Sequence, residues 1–118
     1  MGKRFALVVA ATLVLCGCTR SPVQPKIHCF PKRPSALALS KAEAASLAEA
    51  KRRSSARCAE SDISCGFGTH TYPDGTVGIH TTFAHISGEP PKCGFVFGEE
   101  HIDLFDASGK YVRTIPGL

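Results

Sequence analysis

The sequence predicts an α+β domain in which one N-terminal helix packs on a four-stranded antiparallel meander sheet, stabilised by disulfides. Three observations predict it. An alanine-rich run follows residue 40, segments of alternating hydrophobicity separated by turn sequences follow residue 65, and four cysteines lie between residues 29 and 93. A helix followed by strands with short connections is typical of a single α+β domain.

The helix is predicted from a capping box, Ser40-x-x-Glu43, followed by an alanine-rich run to about residue 59. Cationic side chains at Lys51, Arg52 and Arg53 suit the carboxyl end of a helix. The apolar positions of the run are mostly small, so we expect the helix backbone to lie close to the sheet.

The first two strands flank the turn sequence Pro73-Asp74-Gly75, which predicts a three-residue hairpin loop with Gly75 in a left-handed conformation. That loop sets Thr69 opposite Ile79 and Phe67 opposite Thr81. One face of the hairpin then carries Phe67, Val77, Ile79 and Phe83. The other face carries Gly66, Gly68, His70, Tyr72, Gly78 and His80.

The third strand is predicted from residue 93 to about residue 106, and the fourth from 110 to 115, joined by the turn Asp106-Ala107-Ser108-Gly109. A second three-residue loop would set Asp103 opposite Arg113 and Phe105 opposite Tyr111. Under this register the core face carries Ile102, Leu104 and Val112.

Four cysteines, Cys29, Cys58, Cys65 and Cys93, are predicted to form two disulfides, because an even number in a small exported domain is typical of a disulfide framework. No CxxC pair favours metal binding by these thiols. Three pairings are possible, and the sequence does not choose among them.

The N-terminus carries Lys3 and Arg4 before an uncharged apolar stretch at residues 5–15, as in an export signal. The stretch is too short for a membrane span, which needs roughly 20 residues. The motif Leu15-Cys16-Gly17-Cys18 resembles the lipobox of bacterial lipoproteins. The resemblance implies that residues 1–17 are removed and that Cys18 carries the lipid.

The same resemblance implies a membrane partner, reached through the lipid anchor. Thr19 follows the cysteine, and the aspartate that retains enteric lipoproteins at the inner membrane is absent, so we expect an outer-membrane location facing the periplasm. Four prolines predict that residues 18–35 form an extended tether, with the α+β domain at residues 36–118. In outline, residues 36–117 resemble small envelope domains of the PepSY or cystatin-like types, a likeness of element order that carries over no site residues.

Charge is unevenly distributed along the chain. Residues 18–57 hold nine Lys or Arg and two Glu, whereas residues 58–118 hold three Lys or Arg and eight Asp or Glu. After removal of the signal peptide the net charge is only +2, which does not favour nucleic acid as a partner.

The glycine-rich face of the first hairpin is the predicted partner-binding surface, through His70, Tyr72 and His80. Tyr72 is the expected aromatic anchor. His70 and His80 are diagonal neighbours across the two strands, so an alternative is a metal site built on this pair.

A second cluster, Glu99-Glu100-His101-x-Asp103, suits a divalent cation or a basic partner, or else is a solvated strand face with Asp103 paired to Arg113. No GxSxG or HExxH motif occurs, so no catalytic residue and no cofactor is predicted. We therefore expect a binding module of the inhibitor, immunity or envelope-accessory type that recognises an envelope protein. A metal-binding envelope protein is the alternative, and a small hydrolase is the third hypothesis.

Overall fold

The computed structural model describes residues 26–31 and 38–117. The helices are α1 (Lys41–Arg53) and α2 (Ser55–Cys58). The strands are β1 (Ile63–Thr71), β2 (Val77–Ser87), β3 (Lys92–Phe95), β4 (His101–Phe105) and β5 (Tyr111–Pro116). The α+β class is confirmed: a small helix packs on an antiparallel sheet. The predicted signal peptide, Cys18 and most of the predicted tether lie outside the described residues.

Helix α1 begins at the predicted capping box. The Ser40 hydroxyl accepts from the Glu43 backbone N–H at 3.1 Å, and the Glu43 carboxylate accepts from the Ser40 N–H at 2.9 Å. The helix is interrupted at Ser54, which separates α1 from the single turn of α2. Ser46 and Ala50 are fully buried, so small side chains let α1 lie close to the sheet as expected.

The β1–β2 hairpin has the predicted register. Thr69 is opposite Ile79 and Phe67 is opposite Thr81, and Gly75 adopts a φ of 91° in the turn. Val77 and Ile79 are fully buried beneath the helix, where they pack with Ala50. The core face predicted for this hairpin is therefore confirmed.

The third predicted strand is broken, so the sheet has five strands and the prediction of four was wrong. Strands β3 and β4 both pair antiparallel with the same edge of β2, β3 along residues 84–87 and β4 along residues 77–81. The chain leaves this edge after Phe95 and rejoins it at His101. The detour includes Gly98, whose φ of 93° does not fit a continuous strand.

The register of β4 with β5 matches the prediction only at the turn. Phe105 is opposite Tyr111 as expected, but Leu104 is opposite Arg113 and Asp103 is opposite Thr114. Strand β5 thus contains one extra residue, Val112, between these pairs, which is a β-bulge. The predicted pairing of Asp103 with Arg113 is wrong because the bulge moves Arg113 to the other face.

Strand β4 also presents the opposite face to the helix from the one predicted. Asp103 lies opposite Ile79 and Phe105 opposite Val77, both on the helix side, whereas Leu104 lies opposite Gly78. The prediction that Ile102, Leu104 and Val112 share the core face is therefore wrong. Successive residues of a strand face opposite ways and every second residue shares a face, so placing the Phe105 ring in the core also places Asp103 there.

The two disulfides lie on opposite faces of the sheet. Cys58 of α2 pairs with Cys65 of β1 on the helix side. Cys29 pairs with Cys93 of β3 and fastens residues 26–31 to the other face. The prediction of two disulfides is confirmed and its pairing is now assigned. Across the two stretches that the structure describes, no helix is long and apolar enough to span a bilayer.

Candidate functional site

The sheet surface opposite α1 is closed at one end by the chain itself. The Cys29 N–H donates to the Ser64 hydroxyl at 3.0 Å. The Phe30 ring lies so close to Gly66 that a Cβ at that position would be 2.6 Å from the ring. Ser64 and Ala84 are buried there although they face away from the helix. Residues 26–31 therefore close part of this surface, and the rest is open.

We call that remaining surface the open face. It is formed by side chains of β1, β2, β4 and β5 that point away from α1. These are Gly68, His70, Tyr72, Gly78, His80, Ile102, Leu104, Arg113 and Ile115. A shallow cavity of about 360 Å³ lies over its β1–β2–β4 part.

Tyr72 lies across a glycine at the centre of the open face. A Cβ added at Gly78 would be 3.1 Å from the Tyr72 ring and 3.4 Å from the Ile102 side chain. The absence of a side chain at Gly78 thus leaves room for the tyrosine ring. The His70 ring meets Tyr72 edge-on, with 4.6 Å between ring centroids. The three predicted partner-binding residues, His70, Tyr72 and His80, lie together on this face.

The histidines are placed as diagonal neighbours, since His70 is opposite Gly78 and His80 is opposite Gly68. Within the described part of the chain, no group of three possible metal ligands comes together. The metal alternative at His70 and His80 therefore gains no third ligand from these residues and stays a prediction.

Strands β4 and β5 add an apolar and cationic part to the open face that the sequence did not predict. Ile102 and Leu104 are half-buried, and Ile115 is 36% exposed. Arg113 lies beside them. On the strands described here, no position of this face carries Asp or Glu. The open face thus combines apolar side chains with one cation and two histidines.

The predicted cluster at Glu99, Glu100, His101 and Asp103 is divided by the fold. Glu99 accepts two hydrogen bonds from Arg57 at 2.8 and 3.0 Å. The contacts with Glu99, and then those with Glu60, raise the pKa of Arg57. The Glu100 carboxylate accepts from the Gly98 N–H. Glu99 therefore binds Arg57 and Glu100 binds the Gly98 N–H. The two glutamates do not form one shared cation site with Asp103.

Asp103 is only 1% exposed, although the sequence predicts a solvated position for it. The Thr114 hydroxyl donates to Asp103 Oδ1 at 2.5 Å. Because that donation uses the only hydroxyl proton of Thr114, Tyr111 must be the donor in its 2.8 Å contact with Thr114. Asp103 Oδ2 is buried and has no hydrogen-bond partner among the described residues.

His101 lies next to this carboxylate in a helix-side cleft of about 320 Å³, lined also by Arg53 and Ser54. Its Nε2 is 3.8 Å from Asp103 Oδ2, and its Nδ1 is 3.1 Å from the Glu99 carbonyl oxygen. Both ring nitrogens thus face oxygens of β4 and the loop before it.

No protein-family model, curated protein or solved structure matches this chain. The molecule has two surfaces whose geometry suits a functional role. The cleft contains a buried, incompletely bonded carboxylate, and the open face presents apolar and aromatic side chains with room for a partner.

Sequence reasoning did not place Leu104, Arg113 and Ile115 on the open face. The alternation of β4 predicted its apolar residues to be buried, and a bulge at Val112 cannot be read from a single sequence. One available signal was the pair of apolar residues, Ile102 and Leu104, on either side of Asp103. The alternation of a charged residue with apolar residues shows which residues share a face of the strand. It does not show which of the two faces is buried.

Proposed function

We propose that this chain is an exported, lipid-anchored protein of the bacterial outer membrane, facing the periplasm, whose domain binds another envelope protein through the open face. The role is that of an inhibitor, an immunity protein or an accessory subunit. One observation carries the proposal: strand β4 buries Asp103 and turns Ile102 and Leu104 towards the open face.

This arrangement is costly for folding alone. A buried polar atom without a partner costs about 1–3 kcal/mol, and more if it is charged. Keeping part of an Ile or Leu side chain exposed forgoes some of the roughly 1.5–3 kcal/mol that full burial provides. Residues that reduce the stability of a fold are expected at its functional sites. An apolar sheet face retained at this cost supports a role in binding.

The chemistry of the open face indicates the kind of partner. Arg113 supplies a cation, the two histidines supply ring nitrogens for hydrogen bonds, and no strand position described on this face is acidic. Tyr72 is 37% exposed, and its ring lies against the backbone at Gly78. Rigid aromatic side chains frequently act as anchors of interfaces. We therefore infer a partner that presents apolar side chains together with Asp or Glu.

Export is supported by two independent features. The first is the basic and apolar N-terminus with its lipobox-like motif. The second is the pair of disulfides that join residues 29 with 93 and 58 with 65. Disulfides persist in oxidising compartments such as the periplasm.

The anchor is tested at Cys18. With Cys18→Ser the protein should remain an unacylated precursor, because the lipidated thiol is gone. Metabolic labelling with a fatty acid, followed by mass determination, measures this directly. Cys16→Ser is the matched control and should still be acylated. Labelling of the Cys18→Ser protein would contradict the assignment.

The partner site is tested by placing a photo-crosslinking amino acid at Ile115 in living cells, with Arg52 on the exposed helix surface as the control position. A specific adduct is expected only from position 115. Once the partner is identified, its affinity is measured by calorimetry. Tyr72→Ala with His80→Ala should weaken binding by about tenfold or more, as loss of an interface anchor does.

Charge reversal tests the predicted chemistry of the partner. Arg113→Glu should weaken binding more at low salt than at high salt, because exposed charge pairs are screened. Lys41→Glu, at the exposed start of α1, should leave the affinity unchanged. Full affinity in the double variant and in Arg113→Glu, with the fold intact, would place the partner site elsewhere.

A further inference from the structure

Two phenylalanines are far more exposed than is usual for this residue type. Phe97 is 86% exposed and Phe95 is 65% exposed, the largest exposed fractions among the large apolar side chains in the described ranges. Phe95 belongs to β3, and Phe97 stands two residues later in the detour between β3 and β4. Large apolar side chains in such positions mark surfaces that contact something else.

Phe95 borders residues 26–31, the described segment nearest the N-terminus. The Phe95 ring meets Phe30 edge-on, with 5.8 Å between centroids. The disulfide from Cys29 to Cys93 fixes the same segment to β3. We call Phe30, Phe95 and Phe97 the phenylalanine patch. Its position is thus tied covalently to the segment that leads back to Cys18.

We infer that the phenylalanine patch docks on the lipid surface to which Cys18 is anchored, an inference that rests on the proposed lipid anchor. Cys29 lies eleven residues after Cys18. A fully extended chain covers about 3.3–3.6 Å per residue, so Cys29 lies at most roughly 40 Å from the anchor. The anchor therefore keeps Cys29 within reach of the bilayer surface, and apolar aromatic side chains are well suited to the region of the headgroups.

The charges around the patch indicate how it binds. Glu99 is paired with Arg57, and Glu100 accepts from the Gly98 N–H. Lys92 at the start of β3 and Glu89 in the preceding turn carry opposite charges. In the sequence, Lys26, Lys32 and Arg33 stand on either side of Phe30. Insertion of the rings and attraction of these cations to anionic lipid should both contribute, so docking should weaken at high salt without being lost.

Docking would also orient the domain. Phe95 pairs with Ala84, near one end of β2, whereas the Tyr72 ring lies near the other end, beside Gly78. Six residues of strand separate Ala84 from Gly78, about 20 Å at roughly 3.4 Å per residue. With the patch on the membrane, the Tyr72 end of the open face is held away from the bilayer, where a partner can reach it.

The chain contains no tryptophan, so a single substitution provides a depth probe. Phe97→Trp is made in the full acylated protein, which is reconstituted into vesicles of phosphatidylethanolamine and phosphatidylglycerol with brominated acyl chains. Val112→Trp is the matched control. Val112 is 56% exposed on β5 and lies at the end of the sheet away from the phenylalanine patch. The indole fluorescence of the Phe97→Trp protein should be blue-shifted and quenched several-fold more than that of the Val112→Trp protein, at both low and high salt.

The outcomes separate docking from anchoring, because intact mass reports acylation in the same samples. Equal, weak quenching of the two probes in acylated protein overturns the docking inference and leaves the anchor standing. Strong quenching of the probe at position 97 in protein that carries no acyl chain supports docking and removes the anchor. If that probe is shielded only when a purified protein partner is added, the patch is a protein site and the lipid inference is wrong.

Discussion

At the scale of the residue, the carboxylate of Asp103 has one short hydrogen bond and one oxygen without a partner among the described residues. Thr114 donates to Oδ1, and Tyr111 in turn donates to Thr114. The guanidinium of Arg53 lies 3.7 Å from the centre of the Tyr111 ring, an arrangement that favours a cation. Helix α1 and strands β4 and β5 are thus linked through a row of polar side chains that ends at a buried charge.

Asp103→Asn should stabilise the domain. The amide oxygen can still accept from Thr114, while the buried charge is removed. We expect the free energy of unfolding to rise by about 1 kcal/mol, because an incompletely bonded group costs more to bury when it is charged than when it is a neutral amide. Urea denaturation at pH 7 measures it.

Asp106→Asn is the comparison for that measurement. Asp106 accepts hydrogen bonds from the Ser108 hydroxyl and from the Ser108 and Lys110 N–H groups, which lower its pKa. Its substitution should therefore destabilise. A clear loss of stability in Asp103→Asn would instead show that the fold itself needs the Asp103 carboxylate.

At the scale of the element, residues 26–31 act as a short strap across β1, and two glycines of that strand show how tightly it fits. A Cβ at Gly66 would lie 2.6 Å from the Phe30 ring, whereas a Cβ at Gly68 would meet nothing within 4 Å. Both glycines face away from the helix, on the same strand. The strap therefore reaches Gly66 and stops short of Gly68.

Gly66→Ala should destabilise the domain by roughly 1–3 kcal/mol, the usual cost of overpacking. Gly68→Ala is the matched control and should be neutral or slightly stabilising, because glycine in a strand interior costs roughly 0.5–1 kcal/mol relative to alanine. Thermal and urea denaturation of both variants check this. Equal stability of the two variants would mean that Phe30 does not rest on Gly66.

The elements also show which parts of the fold a single sequence can predict. The capping box at Ser40 and the turn at Gly75 are local signals, and both occur as predicted. The break of the third strand, the bulge at Val112 and the strap over Gly66 depend on contacts between distant segments. The inward face of β4 was mispredicted for the same reason, since its pairing with Ile79 decides which residues are buried.

The candidate site follows the same division. His70, Tyr72 and His80 were placed on one face by the hairpin register alone, and the structure brings them together. Arg113 and Ile115 join them only because β5 lies beside β4 with an extra residue. Local periodicity therefore predicted the β1–β2 half of the open face, and the bulge determines the other half.

At the scale of the whole molecule, the two disulfides close loops of very different length. Cys29 and Cys93 are 64 residues apart, and Cys58 and Cys65 are 7 apart. The Cys29–Cys93 loop encloses α1, β1 and β2, so it restricts most of the unfolded chain. The Cys58–Cys65 loop only fixes α2 to the start of β1.

Replacing Cys29 and Cys93 together by Ala should cost about 4 kcal/mol of stability, and replacing Cys58 and Cys65 about 2 kcal/mol, because the entropy lost by the unfolded chain grows with loop length. Guanidinium denaturation of the two double variants against the parent protein measures both. Losses of equal size, or a larger loss for the short loop, would contradict the entropic account.

The Cys29–Cys93 bond also sets the route that a mechanical load takes through the domain. A pull on the N-terminal segment enters at Cys29 and crosses the disulfide directly into β3, which is paired with β2. Helix α1 lies within the closed covalent loop and is bypassed. A protein held at its N-terminus and pulled through a partner on the open face would therefore resist along its strands while its helix stays unloaded.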